Sequence, residues 1–368
     1  MKKLCLLIVE DDEVAIASYR REIKAYNLDA DIKISETPVN NKEKAISLLR
    51  DAEKDFDAAI VDLDLLGSGG KDSSGNDIIR EIRKNLRFPV FVITGTPQNV
   101  APDLREESIL FKIKTRGERE DIGYLDQLMN IYKTGITNIV NRKGTIEQII
   151  SNIFWNHLSS SVDLWVNDDS RTPEEKEKSL LRYTLLHMQE YLDEKNYHPS
   201  EFYITKPIKK DVFTGDIVEF DEARWIILTP SCDIVKRQDG TRNTRKILLC
   251  KIKPLESEVK NYGILSKETS ANNDNRKRLS RYIQNNAGGN FHFIPKHKTI
   301  YPGLIDFQDK LTIDESLVDK YLLEEKMKRL ATVSMPFLKD IISRYSNYFA
   351  RQGSPDFNSD EVYASIFS

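Results

Sequence analysis

The chain has 368 residues, of which 39% are hydrophobic and 31% charged, with a formal net charge of −3. That length exceeds one ordinary core, so two or three domains are expected, with the composition of a folded, soluble protein. The acidic balance argues against a broad nucleic-acid footprint, and no apolar run approaches the roughly 20 residues of a membrane span. Three cysteines, Cys5, Cys232 and Cys250, are an odd count, and Cys5 sits inside an apolar run. A disulfide framework is therefore not expected, and a reducing cytoplasm is.

From the amino terminus to about residue 133, strand and helix patterns alternate in the order that builds a doubly wound parallel sheet. "LCLLIV" (4–9) is continuous and apolar, as a strand covered on both faces must be. "EVAIASYRREIKAYN" follows at helical spacing, then the strand "IKISET" and the amphipathic helix "NKEKAISLLRDAEK". "FDAAIVDLDL" (56–65) is a third strand, "NDIIREIRKNL" a third helix and "PVFVITGT" (89–96) a fourth strand. "SILFKIKT" (108–115) completes a five-stranded sheet, closed by the helix "IGYLDQLMNIYKT".

The first strand ends in three adjacent acids, Glu10, Asp11 and Asp12, and the third in Asp62 and Asp64. Like charges repel, and at a buried strand end each also loses water. In an open α/β sheet the functional crevice lies beyond the carboxyl ends of the strands. Carboxylates, the Thr94 hydroxyl and a lysine from strand five, converging there, would hold a hard cation such as Mg²⁺ and a phosphoryl group. Asp12 or Glu13 also suits the opening of the first helix.

"VED" after strand one, "FDAAIVD", "VITGT" and "FKIKT" come in the order found in receiver domains of bacterial two-component response regulators, which residues 1–133 resemble. The resemblance implies Asp62 as phospho-acceptor and Thr94 as switch hydroxyl. It implies a Mg²⁺ shell of Asp11, Asp62 and the backbone carbonyl of Asp64, with Glu10 completing the acidic pair. Lys114, with Phe111 three residues before it as the aromatic switch, is the expected site lysine, and Lys112 the fallback. A histidine kinase or phosphotransfer protein would be the partner, with a homodimer as a candidate assembly. Two features depart from the family pattern. No proline follows either lysine, and the loop "LLGSGGKDSSGND" (65–77) is long, glycine-rich and expected to be mobile.

The remainder divides into a helical connector (134–199), a small, mostly antiparallel β-barrel or rolled sheet (200–315) and C-terminal helices with a polar tail (316–368). "RTPEEKEKSLLRYTLLHMQEYLDEK" (171–195) carries a helix start, with Thr172 as cap, Pro173 next and Glu175 three residues after the cap. Trp155, Trp165, His157 and His187 are expected in the packing between these helices. "SLVDKYLLEEKMKRLATV" and "PFLKDIISRYSNYFARQ" read as the two final helices.

Candidate chemistry in the output region is sparse. Cys232 and Asp233 in "TPSCDI", with His292 some sixty residues later, could form a nucleophilic site. A buried cysteine with Asp233 capping a turn explains the same residues. Zinc ligation through Cys232, His292 and His297 lacks any supporting spacing. "NDNRKRLSRYIQNN" (273–286) reads as a solvated basic helix face before it reads as a phosphate contact. The expected function is a response regulator that switches an atypical output module. The alternative is a phospho-gated effector enzyme, a nuclease or a Cys/His hydrolase.

Overall fold

The computed structural model describes residues 3–51, 53–66, 74–118, 122–192, 197–259, 262–265, 274–351 and 356–367. The chain forms two compact units, Met1–Asp193 and Glu194–Ser368.

The first unit begins with β1 (Lys3–Val9), α1 (Glu13–Asp29), β2 (Lys33–Val39), α2 (Lys42–Arg50) and β3 (Ala58–Val61). It continues with α3 (Ser74–Asn85), β4 (Val90–Thr94), β5 (Phe111–Thr115) and α4 (Tyr124–Lys133). The five strands are parallel in the order β2-β1-β3-β4-β5, the flavodoxin-like doubly wound arrangement. β1, β3 and β4 are buried almost throughout, which is why they read as unbroken apolar runs. Alternate residues feed two cores. Leu7, Val61 and Val92 meet Ile78 and Ile82 of α3 on one face. Leu6, Ile60 and Phe91 meet Ile23 of α1 and Leu128 of α4 on the other. α1 and α2 start where a short polar side chain takes an unpaired backbone N–H. Asp12 accepts from Val14 N at 2.8 Å, and Asn41 from Lys44 N at 2.9 Å. Most of the glycine-rich loop expected after Asp62 (67–73) lies outside the described residues.

The same unit carries α5 (Ile136–Val140), α6 (Thr145–Ile153), a π-helical turn (Phe154–Leu158), α7 (Asp163–Val166) and α8 (Pro173–Leu192). Arg142 and Asn141 tie α5 to the sheet layer through the carbonyls of Leu49, Asp51 and Phe56. The capping box at the start of α8 forms: Thr172 Oγ1 accepts from Glu175 N, and Glu175 Oε2 accepts from Thr172 N. Trp165 packs as expected, with its ring 5.2 Å from Tyr183 and its indole N–H donating to Ser179 Oγ. Trp155 does not. It sits in the π turn and is 68% exposed.

The second unit contains β6 (Tyr203–Thr205), β7 (Asp216–Phe220), β8 (Ala223–Ile227), α9 (Ser231–Ile234), β9 (Lys246–Pro254) and α10 (Leu255–Glu258). There follow α11 (Tyr262–Leu265), α12 (Asp274–Ile283), β10 (Phe291–Ile294), β11 (Gly303–Asp314), α13 (Glu315–Leu323), β12 (Met327–Val333), α14 (Met335–Ala350) and α15 (Ser359–Phe367). The seven strands make one curled antiparallel sheet, β10-β11-β9-β8-β7-β12-β6.

Two expectations fail here. The run read as one helix from residue 316 splits into α13 and β12. Glu325, at φ 55°, turns the chain, and Met327, Ala331 and Val333 are then buried at strand spacing. β12 slots between β7 and β6, held by the fully buried Asp216. That carboxylate accepts from Thr332 Oγ1 at 2.5 Å and lies 2.9 Å from Arg329 Nε. The tail is not polar throughout either, because α15 carries Val362, Tyr363, Ile366 and Phe367 on a helix.

Candidate functional site: an acidic cluster closed by an arginine

The carboxyl ends of β1 and β3 deliver Glu10, Asp11 and Asp62 to one point. One ligand oxygen from each lies within 4.8 Å of the others, and among the described residues no other trio of His, Cys, Asp or Glu does so. Glu10 is 1% exposed and Asp62 6%. α3 approaches this floor closely. A Cβ on Gly75 would sit 2.3 Å from the Asp62 carbonyl oxygen and 2.6 Å from Leu63 Cα, so only glycine fits. Thr94, buried at the end of β4, accepts from Thr96 N through its hydroxyl at 3.3 Å. Asp64 lies just beyond β3, where its side chain accepts from Leu66 N.

The cation at these acids is Arg116. One terminal nitrogen lies 2.6 Å from Glu10 Oε2 and 3.1 Å from Asp62 Oδ2; the other is 3.7 Å from Asp12 Oδ2. Its backbone N–H donates to the Thr94 carbonyl at 2.9 Å, which fixes it one step past the last paired residues of β4 and β5. Lys114, the expected site lysine, leaves β5 two residues earlier. Lys114 is still inside the ladder, opposite Ile93, so its side chain leaves perpendicular to the sheet, under α4. There its ammonium is 5.2 Å from the Phe91 ring centre and donates to Gln127 Oε1 at 3.2 Å. Lys112 pairs one pleat earlier, opposite Phe91.

Phe111, the expected aromatic switch, lies at the other end of β5. It pairs with Val90 at the amino end of β4, about 13 Å of ladder from Thr94, with the Arg83 guanidinium over its ring. Arg116 could have been found by asking where strand five ends.

Burial pushes the Glu10 carboxyl up to about 7, with Arg116 pulling it down and Asp62 pushing it up. Asp11 is also raised, chiefly by burial. Asp62 Oδ1 is buried with no hydrogen-bond partner. A buried carboxylate oxygen left unpaired is costly. Three acids against one guanidinium also leave surplus negative charge. Both features fit a metal ion with oxygen ligands, which Glu10, Asp11 and Asp62 are close enough together to chelate.

The output-region residues do not converge. Cys232 is exposed on α9, directly after β8, and Asp233 accepts from Asn243 Nδ2 at 3.0 Å. His292 is buried on β10, with Nε2 3.1 Å from Asp340 Oδ2 on α14. β10 and β8 are three strand spacings apart, on the order of 14 Å. No hydrogen bond or ion pair among the described residues joins Cys232 or Asp233 to His292.

No protein-family model matches the chain, and no curated protein matches it. Among solved structures, it is similar to the N-terminal domain of a response regulator/sensory box/GGDEF 3-domain protein from Carboxydothermus hydrogenoformans. That match has 17% identity and a TM-score of 0.29, over 36% of this chain and 98% of the other. It is also similar to the phosphorylated cyanobacterial phytochrome response regulator RcpA, at 23% identity and a TM-score of 0.24, over 37% and 93% of the two chains. A third is the receiver domain of PhyR from Erythrobacter litoralis, at 18% identity and a TM-score of 0.26, over 36% and 90%. The C-terminal domain is unmatched. Strand order itself establishes the flavodoxin-like fold of the first unit.

Proposed function

We propose that the first unit is a phospho-accepting switch, and that the protein is a response regulator whose second unit is its output. The observation that carries this reading is the buried, unpartnered Oδ1 of Asp62, facing Glu10 and Asp11 at the carboxyl edge of a flavodoxin-like sheet. An Asp62 oxygen would attack the phosphorus of a phosphohistidine on a histidine kinase or phosphotransfer protein. A P–O bond forms to the carboxylate as the P–N bond to the imidazole breaks, leaving an acyl phosphate. Mg²⁺, held by Glu10, Asp11 and Asp62 with the Asp64 carbonyl, would supply charge neutralisation to the phosphoryl oxygens.

Arg116 is placed to turn from Asp62 Oδ2 to those oxygens. Its planar fork suits phosphate better than an ammonium does. Thr94 would donate its hydroxyl to the same group. Such a partner belongs to the cytoplasm, and no helix among the described residues is long and apolar enough to cross a membrane. The test is labelling by acetyl phosphate with Mg²⁺: Asp62→Asn loses it, and unchanged labelling of that variant refutes the assignment.

A further inference from the structure

α8 is twenty residues long and has no buried residue. One side leans on the rest of its unit, through Ser179 and Tyr183 against Trp165 and through His187 against His157, with ring centres 4.9 Å apart. Leu181, Leu185 and Leu192 project from the opposite side and are 59%, 54% and 54% exposed. With the half-buried Met188 they recur at intervals of four, three and four. This is the spacing of alternating d and a positions in a coiled coil. Three leucines in one exposed stripe do not stabilise a lone helix in water.

We propose that this stripe is the seam of a parallel, two-stranded coiled coil with α8 of a second copy of the chain. Three features favour that occupant. The spacing is self-complementary, so an identical helix fills it knob into hole. The preceding a position is Lys178, and a lone lysine there favours a defined register and strand number. Flanking the seam, Glu177 falls at a g position and Arg182 at the e position five residues on. In a parallel pair this g residue faces the partner's e residue, so two Glu177–Arg182 ion pairs form across the dimer. Both side chains are exposed. The inference is independent of phosphorylation at Asp62.

Sedimentation of the full-length chain at sub-millimolar concentrations tests it. Wild type should show a concentration-dependent dimer. Leu185→Glu should raise the dissociation constant roughly thirtyfold, as expected for an interface centre. Glu177→Arg and Arg182→Glu should each weaken the dimer, and the double reversal should restore it. In a Cys232→Ser background, Leu185→Cys and Leu192→Cys should each form a disulfide between identical positions, as only a parallel, in-register pair allows. A monomer at every concentration overturns the proposal. So does a dimer indifferent to Leu185→Glu and to the charge reversals, or linkage at only one of the two cysteine positions.

Discussion

Arg116 and Lys114 lie two residues apart on one strand, yet they do different work because the ladder ends between them. Arg116 shares Glu10 and Asp62 with any cation that enters, so its positive charge competes with Mg²⁺. Arg116→Met should bind Mg²⁺ more tightly than wild type. Without metal it should lose about 1.5–3 kcal/mol of stability, the value of hydrogen bonds to buried charged groups. Lys114→Met should leave Mg²⁺ affinity unchanged. Calorimetric titration of both variants decides, and the reverse ranking would return the site cation to Lys114.

Glu10 gives the site a pH signature. Its carboxyl titrates near 7 in the fold, against an ordinary value of 4.5. Between those values the native state holds a proton that the unfolded state has released. Stability in the absence of metal should therefore fall as pH rises from about 4.5 to about 7, and then level off. Glu10→Gln should remove that slope. Denaturant unfolding of both proteins in a chelator measures it, and parallel profiles would contradict the assignment.

At the scale of elements, β12 holds the second sheet together through side chains that a sequence pattern does not rank. Asp216→Ala would leave Arg329 beside an emptied pocket and free β12 from β7. Breaking a buried ion pair typically costs about 3–5 kcal/mol. Thermal unfolding of the second unit should register that loss, while the first unit's transition stays in place. One cooperative loss of both would show instead that the units unfold together.

β12 also marks a limit of legibility. "MKRLATV" follows a helix with only a three-residue turn, and its polar alternates look helical until β7 and β6 are known to flank it. The first unit was legible because parallel strands covered on both faces are written as apolar runs. Acids at their carboxyl ends are costly unless used, so Glu10, Asp11 and Asp62 stood out. Arg116 was hidden because its role depends on where β5 stops pairing, which a run of alternating lysines obscures. Cys232 and His292 looked like a pair only because sequence does not show the two strands lying between them.

At the scale of the molecule, a phosphoryl group can bias the chain only by binding one arrangement more tightly than another. The expected change is one of association or unit arrangement, with the curled sheet unaltered. Solution scattering with and without beryllofluoride should differ, while the circular dichroism of the strands does not. Identical scattering with the mimic bound would make the first unit a docking surface.

The most direct measurement is peptide mapping of the protein after acetyl phosphate and Mg²⁺, with hydroxylamine converting any acyl phosphate to a stable hydroxamate. The account predicts modification at Asp62 that disappears when Mg²⁺ is chelated. Modification at Asp64 in its place, or none on a protein that demonstrably binds Mg²⁺, would contradict it.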